Sequence, residues 1–184
     1  CDLSCLYCHY TVSSKIAQEE GKAIEDNISR HDIETSKQYL KKIVENSDEN
    51  ILVTFSGGEP TSSKYFYELI EYINTLDTSK IILDVITNAN SKLFLFNKFI
   101  DQLNKFKGKI VITISNESFK EDSSLIRYGL DWQRFENNIR AYAGHSNVSK
   151  INLGVTVSNV ALPSFSQYLI WAFNTLSEYD IFLN

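Results

Sequence analysis

Ile51-Leu52-Val53-Thr54-Phe55-Ser56-Gly57-Gly58-Glu59-Pro60 is the stretch whose reading decides the fold. Five residues rich in β-branched and aromatic side chains make a short buried strand. Two glycines then release the backbone from the usual φ limits, and an acid with a following proline marks a helix start. Phe66, Leu69, Ile70, Ile73 and Leu76 then recur on one helical face. The same phrase returns along the chain. Ile81–Ile86 leads into Thr87-Asn88-Ala89-Asn90 and a face of Phe96, Phe99, Ile100, Leu103 and Phe106. Ile110–Ile114 leads into Ser115-Asn116-Glu117 and a helix carrying Phe135 and Ile139. Ile151–Val157 leads into Ser158-Asn159 and a helix carrying Leu169, Phe173 and Leu176, and Asp180–Leu183 is the last strand. Ahead of the first phrase, Ile33, Leu40, Ile43 and Val44 share a helical face. Strand and helix alternating in this way give a parallel sheet with right-handed crossovers. Near-continuous apolar strands suggest a sheet buried on both faces. Residues 11–30 are polar and aperiodic and read as a loop over one rim; residues 116–126 join them as candidate lining of a substrate side.

In a parallel α/β fold the C-terminal strand ends share one rim, and active sites are built there. Here that rim collects Ser56-Gly57-Gly58-Glu59, Thr87-Asn88, Ser115-Asn116-Glu117 and Ser158-Asn159. The glycines permit close backbone approach to a ligand, and Glu59 offers a carboxylate for an ammonium group, or simply an acid at a helix N-terminus. A further cluster opens the chain. Cys1, Cys5 and Cys8 form C-x3-C-x2-C, and there is no other cysteine. Three thiolates hold a metal centre while leaving one coordination position open, which suits a catalytic centre. Two readings stand on spacing alone: an iron–sulfur cluster with one free iron, or zinc completed by His9 in a non-catalytic module.

The bulk numbers bound the rest. The 184 residues are enough for one domain with a real core, and 43% hydrophobic with 22% charged residues is ordinary for a globular protein. A net charge of -5 gives no electrostatic footprint for nucleic acid; Lys41-Lys42 and Lys105, Lys107 and Lys109 read as solvated faces. No apolar run is long enough for a membrane span. An odd, clustered set of cysteines is not a disulfide framework and suits a reducing, cytoplasmic compartment. Without methionine, and with a ligand-type cysteine at position 1, the sequence reads as a piece of a longer protein whose preceding strand would place Cys1.

Together these features resemble the radical S-adenosylmethionine (SAM) superfamily. Its C-x3-C-x-aromatic-C hallmark is matched by Cys1, Cys5, Tyr7 and Cys8, its glycine-glycine-glutamate motif by Gly57, Gly58 and Glu59, and its Thr-Asn pair by Thr87 and Asn88. The resemblance covers residues 1–184 as one core domain. It implies a partial (β/α)6 TIM-like barrel lacking its first strand, a [4Fe–4S] cluster on Cys1, Cys5 and Cys8, and SAM on the free iron. Gly58 and Glu59 would meet the SAM amino group and Tyr7 would lie beside the adenine. One electron, from a donor such as a flavodoxin or ferredoxin, would cleave SAM to methionine and a 5′-deoxyadenosyl radical that takes a hydrogen atom from the substrate. Ile126-Arg127-Tyr128-Gly129-Leu130-Asp131-Trp132, followed by Asn138, resembles members with a C-terminal twitch or SPASM domain, whose extra cysteines would lie beyond residue 184. In these, a serine and a downstream arginine serve the SAM ribose and carboxylate, here Ser115 and Arg127; Asn116 and Glu117 stand where many relatives have an aspartate. Asn88 and Asn159 are further candidate SAM or ribose contacts. The implied substrate is a peptide or small molecule, with a purine-like metabolite or RNA as alternatives. Trp132, Phe135 and Ile139 read as helix core, and Glu117, Glu121 and Asp122 as a solvated loop.

Overall fold

The structure is a computed structural model that describes residues 1–23, 29–179 and 181–183. Asp180 and part of the 11–30 segment lie outside the described residues. In chain order the elements are β1 (Ser4–Cys5), α1 (Ser14–Glu19), α2 (Arg30–Asn46), β2 (Ile51–Phe55), α3 (Lys64–Ile73), β3 (Ile81–Thr87), α4 (Leu93–Lys105), β4 (Lys109–Ser115), α5 (Lys120–Ile126), β5 (Arg127–Tyr128), α6 (Trp132–Ala143), β6 (Val148–Gly154), α7 (Leu162–Leu176) and β7 (Ile181–Leu183). Five strands form one parallel sheet in the order β2-β3-β4-β6-β7. Each strand sits beside the next in sequence with a helical crossover between them, as the alternating pattern predicts. Aligned registers such as Thr87 opposite Ile114 and Ser115 opposite Gly154 bring the strand ends to a common rim.

The helices cover one face of this sheet. Leu83, Val85, Ile110, Ile112, Ile114, Ile151 and Leu153 pack under Phe66, Ile70, Phe99, Leu103, Phe135, Ile139, Tyr142 and Tyr168. The other face is not buried as the apolar strands suggest. In β3, residues Ile82, Asp84 and Ile86 alternate with buried neighbours and stay partly exposed, and Leu52 is exposed on β2. That face is the concave side of an open barrel wall and carries polar groups: Thr113 donates to Asp84 (2.8 Å).

Three further differences from the sequence reading have local causes. Within residues 11–30, Ser13 caps α1 through its side chain and Ala17 is fully buried, so a short helix replaces part of the loop. β6 runs Val148–Gly154 rather than from Ile151 to Val157, because pairing with β4 stops at Ser115 opposite Gly154. The buried face of α7 is Tyr168, Ala172 and Leu176, while Phe173 is exposed; the helix is apolar round much of its surface, so periodicity does not choose its face. No helix among the described residues is long and apolar enough to cross a membrane.

The rim loop after β3 is held in an uncommon shape. Ala89 has φ of 52° and is fully buried, and Asn138 on α6 donates to the carbonyls of Ala89 and Ser91 (3.0 Å each). Asn138→Ala leaves both carbonyls without that donor. It is expected to lower stability by about 1–3 kcal/mol, read as a lower urea midpoint with an unchanged slope.

Candidate active site

The cysteine segment lies across the rim because several loops grip it. β1 pairs antiparallel with β5, placing Ser4 opposite Tyr128 and Cys5 opposite Arg127. Leu6 N–H donates to the Ile126 carbonyl (2.8 Å), and Leu3 is buried in the core. The hydroxyls of Ser13 and Ser14 donate to the carbonyls of Leu3 and Cys1 (2.7 Å each). Asn88 Nδ2 donates to Asp2 (2.9 Å), tying the segment to the end of β3. Gly58, at φ of 56°, passes so near that a Cβ there would stand 3.4 Å from the Cys1 nitrogen. Gly57 has φ of 87°. Both values lie in the left-handed region that glycine enters without steric cost. The glycine pair is thus a requirement of backbone conformation: a Cβ on Gly57 would meet open space, and one on Gly58 would only touch Cys1.

These elements enclose a cavity of about 240 Å³. Cys1, Cys5, Tyr7 and Cys8 line one side, Gly57, Gly58, Thr87 and Asn88 a second, and Ser115, Arg127 and Thr156 a third. All three thiols are free of disulfides. Cys5 is 5% exposed, and burial pushes its thiol up to about 11, with the Arg127 guanidinium pulling the other way and a hydrogen bond with Cys8 reinforcing the rise.

Beside the thiols lies a buried ion pair. Arg127 is 6% exposed and Glu117 is 0% exposed. Arg127 Nη2 donates to Glu117 Oε2 (2.6 Å), and Nε donates to both carboxylate oxygens (3.2 Å each). Nη2 also donates to Ser115 Oγ (3.0 Å). Tyr7 donates its hydroxyl to Glu117 Oε1 (2.7 Å), and its ring centroid lies 5.7 Å from the guanidinium carbon. Burial first, then the bond to Glu117, raises the Tyr7 phenol well above its ordinary value.

Glu59 turns away from the cavity. It is 3% exposed; Oε1 accepts from Thr61 N–H (3.2 Å), the Thr61 hydroxyl (2.6 Å) and the Thr87 hydroxyl (2.8 Å), and Oε2 from Asn88 N–H (2.7 Å). Burial raises its carboxyl, with those donors opposing the rise. It fastens the glycine turn to the Thr87-Asn88 strand end.

Of the residues singled out in the sequence, Cys1, Cys5, Cys8, Tyr7, Gly57, Gly58, Asn88, Ser115 and Arg127 line this one cavity. Glu59 stands behind it, and Asn159 is exposed and is not part of the lining; Thr156 lines the cavity from the same connection. The sequence suggests a solvated loop at Glu117, but the residue is fully buried. The signal that points to it is Arg127 itself, since an arginine on a cavity wall needs a buried carboxylate. Asn116 is buried too, bonded to Ser118 and Ser123, and serves the loop.

The Radical SAM superfamily profile matches residues 1–160. The chain belongs to the radical SAM superfamily. Crystal structures of Streptococcus suis SuiB share the fold. SuiB bound to S-adenosylmethionine gives a TM-score of 0.66 at 19% identity, covering 100% of this chain and 37% of SuiB. SuiB bound to the precursor peptide SuiA gives 0.66 at 19% identity, covering 100% and 36%. Native anSMEcpe with bound AdoMet and Kp18Cys peptide gives 0.62 at 22% identity, covering 100% of this chain and 48% of that one. The chain therefore spans between a third and a half of these relatives, and at such identities the likeness establishes the fold: the parallel α/β partial barrel of radical SAM proteins. No curated protein matches the chain.

Radical SAM proteins use a [4Fe–4S] cluster together with SAM. The donor set here fits that group: three free thiols, and among the described residues no histidine or carboxylate, line the cavity beside the glycine turn. Among the described residues, no three His, Cys, Asp or Glu side chains converge as ligands of a single metal ion. A four-iron cluster does not ask for such convergence, because each cysteine binds a different iron. In metal-free protein Cys5 is expected to react with iodoacetamide about tenfold or more slowly than the cysteine of a short unstructured peptide at pH 8, and to speed up as the pH climbs toward 11, because only the thiolate attacks. Peptide mapping of the alkylated sites measures this; equal rates would mean that Cys5 is not packed as described.

Proposed function

We propose that residues 1–184 are the core domain of a radical SAM enzyme that acts on a peptide substrate. The observation that carries this reading is the sharing of one cavity by Cys1, Cys5 and Cys8, the Gly57-Gly58 turn and Arg127. When bound, the cluster and SAM supply one-electron cleavage of SAM to methionine and a 5′-deoxyadenosyl radical, which abstracts a hydrogen atom from the substrate.

The chain's own residues hold and orient. Cys1, Cys5 and Cys8 would bind the cluster as thiolates, on a segment fixed by β1–β5 pairing and by Ser13 and Ser14. Gly57 and Gly58 would offer backbone, not side chains, to the SAM amino group, with Glu59 holding that turn from behind. Arg127 would meet the carboxylate through Nη1, which has no hydrogen-bond partner among the described residues, since an N–H to a carboxylate is a charge-assisted bond. Ser115 and Thr156 would face the ribose, with Asn88 beside them, and Thr156 takes the place given to Asn159. Tyr7, 45% exposed, would cover the adenine. The part of the wall formed by Cys5, Thr87, Asn88 and Arg127 is buried and would limit water there.

A peptide substrate is supported by the fold likeness to SuiB bound to SuiA and to anSMEcpe bound to peptides. A flavodoxin- or ferredoxin-type protein would deliver the electron. A downstream twitch or SPASM domain belongs to the same reading. After anaerobic reconstitution and reduction with dithionite, the protein is expected to bind about four irons per chain and convert SAM to 5′-deoxyadenosine. Cys5→Ala is expected to lose both together. Stoichiometric zinc with SAM left intact after iron reconstitution would overturn the proposal.

A further inference from the structure

We infer that Glu117 is a positioning residue for SAM binding: it fixes the guanidinium of Arg127 so that one N–H arm, Nη1, is left for the ligand. The inference rests on the function proposed above, in which Arg127 meets the SAM carboxylate.

The geometry leaves Glu117 no other evident task. Both of its oxygens are spent, three contacts going to Arg127 and one to the Tyr7 hydroxyl. It is not on a yielding loop. Asn116 N–H donates to the Gly154 carbonyl (3.2 Å), and Asn116 Nδ2 to the Ser118 carbonyl (2.7 Å). Phe119 N–H donates to Ser164 Oγ on α7 (3.2 Å). Residues 116–118 are fully buried, so the carboxylate leaves the end of β4 from a rigid base.

Arg127's backbone is held as well, by its N–H to the Ser123 carbonyl and by pairing opposite Cys5, but those bonds do not set its side chain. It begins a two-residue strand and follows directly on α5. A long side chain in that position has many rotamers, and a lone buried guanidinium would turn to water. Glu117 removes both freedoms. With Nε on the carboxylate and Nη2 shared between Glu117 and Ser115, the plane of the guanidinium is set. The pairing also cancels most of Arg127's charge. A ligand carboxylate then meets a directed N–H rather than a bare cation, which suits the zwitterionic amino-acid end of SAM better than a polyanion.

The test compares two ligands on the cluster-loaded protein. SAM carries the amino-acid end; 5′-methylthioadenosine keeps the nucleoside and lacks it. Equilibrium dialysis of each against wild type and Glu117→Ala gives the two dissociation constants, with iron content and circular dichroism as checks on loading and fold. Glu117→Ala is expected to weaken SAM about tenfold or more and 5′-methylthioadenosine less than about threefold. Equal loss of both ligands, or no loss of SAM, overturns the inference. Should Glu117→Ala fail to fold, Glu117→Asp carries the same comparison, since it keeps the charge and withdraws it from Arg127; an unchanged ratio there overturns the inference as well. Arg127→Lys separates the two levels. A changed ratio in Arg127→Lys with none in the Glu117 variants rejects Glu117 alone. An unchanged ratio in Arg127→Lys removes the carboxylate role from Arg127, and wild type that binds neither ligand rejects the proposed function itself.

Discussion

An arginine brought to the wall of a cavity lined by thiols has to have its charge answered from inside the protein. In this chain Glu117 does so, and much of the site follows from that pairing. Because Arg127 is opposite Cys5 in the β1–β5 ladder, fixing Arg127 also fixes the strand that carries the central cysteine. Because Tyr7 donates to the same carboxylate, the far end of the cysteine segment is tied to the end of β4. One buried acid thus links the cysteine segment, β4 and β5. A buried ion pair need not add net stability, since desolvating both partners offsets much of their attraction. What it provides here is position, and position is what a binding wall requires.

The sheet supplies the frame on which this works. Parallel pairing with near-level strand ends puts β2, β3, β4 and β6 loops within reach of one ligand. Covering only one face with helices leaves the concave side free to carry polar groups such as Asp84 and Thr113, which a doubly buried sheet would exclude unless they were fully paired. Apolar strand sequences therefore report the helix-covered face faithfully and say less about the other. Ile82 and Ile86 are apolar on the open side, and this is why the sequence suggests burial on both.

Elements with a period were legible from residues alone. The strand cores and the faces of α3 and α4 follow from repeated apolar spacing, and the glycine pair follows from its place between strand and helix. Motif residues were legible for another reason: Cys1, Cys5, Cys8, Gly57 and Gly58 match motifs of the family the sequence resembles, the same resemblance points to Arg127, and all of them line one cavity. What escaped has neither period nor spacing. A two-residue ladder between Ser4–Cys5 and Arg127–Tyr128 joins positions more than a hundred residues apart, and no local pattern announces it. Glu117 lies in a polar run that composition assigns to solvent, and its burial is decided by a side chain ten residues on. Asn159 shows the limit of placement by strand end: β6 ends at Gly154, and it is Thr156, not the exposed Asn159, that lines the cavity from that connection.

The two buried carboxylates beside the cavity show how surroundings divide one chemical group into two tasks. Glu59 is met by hydroxyls and backbone N–H groups and, among the described residues, by no cation, so burial raises its carboxyl even against four donors. An acid in that setting is a connector: it collects donors from Thr61, Thr87 and Asn88 and draws the glycine turn against the end of β3. Glu117 is met by a guanidinium and a phenol, and it offsets a charge that the wall could not otherwise hold. Exchanging the two settings would undo both, since Glu59 would lose the donors that join the glycine turn to the end of β3, and neutral donors beside Glu117 would leave Arg127 unpaired. The glutamate of the motif and the glutamate outside it thus serve the same cavity from behind its lining, one by shaping backbone and the other by aiming a side chain.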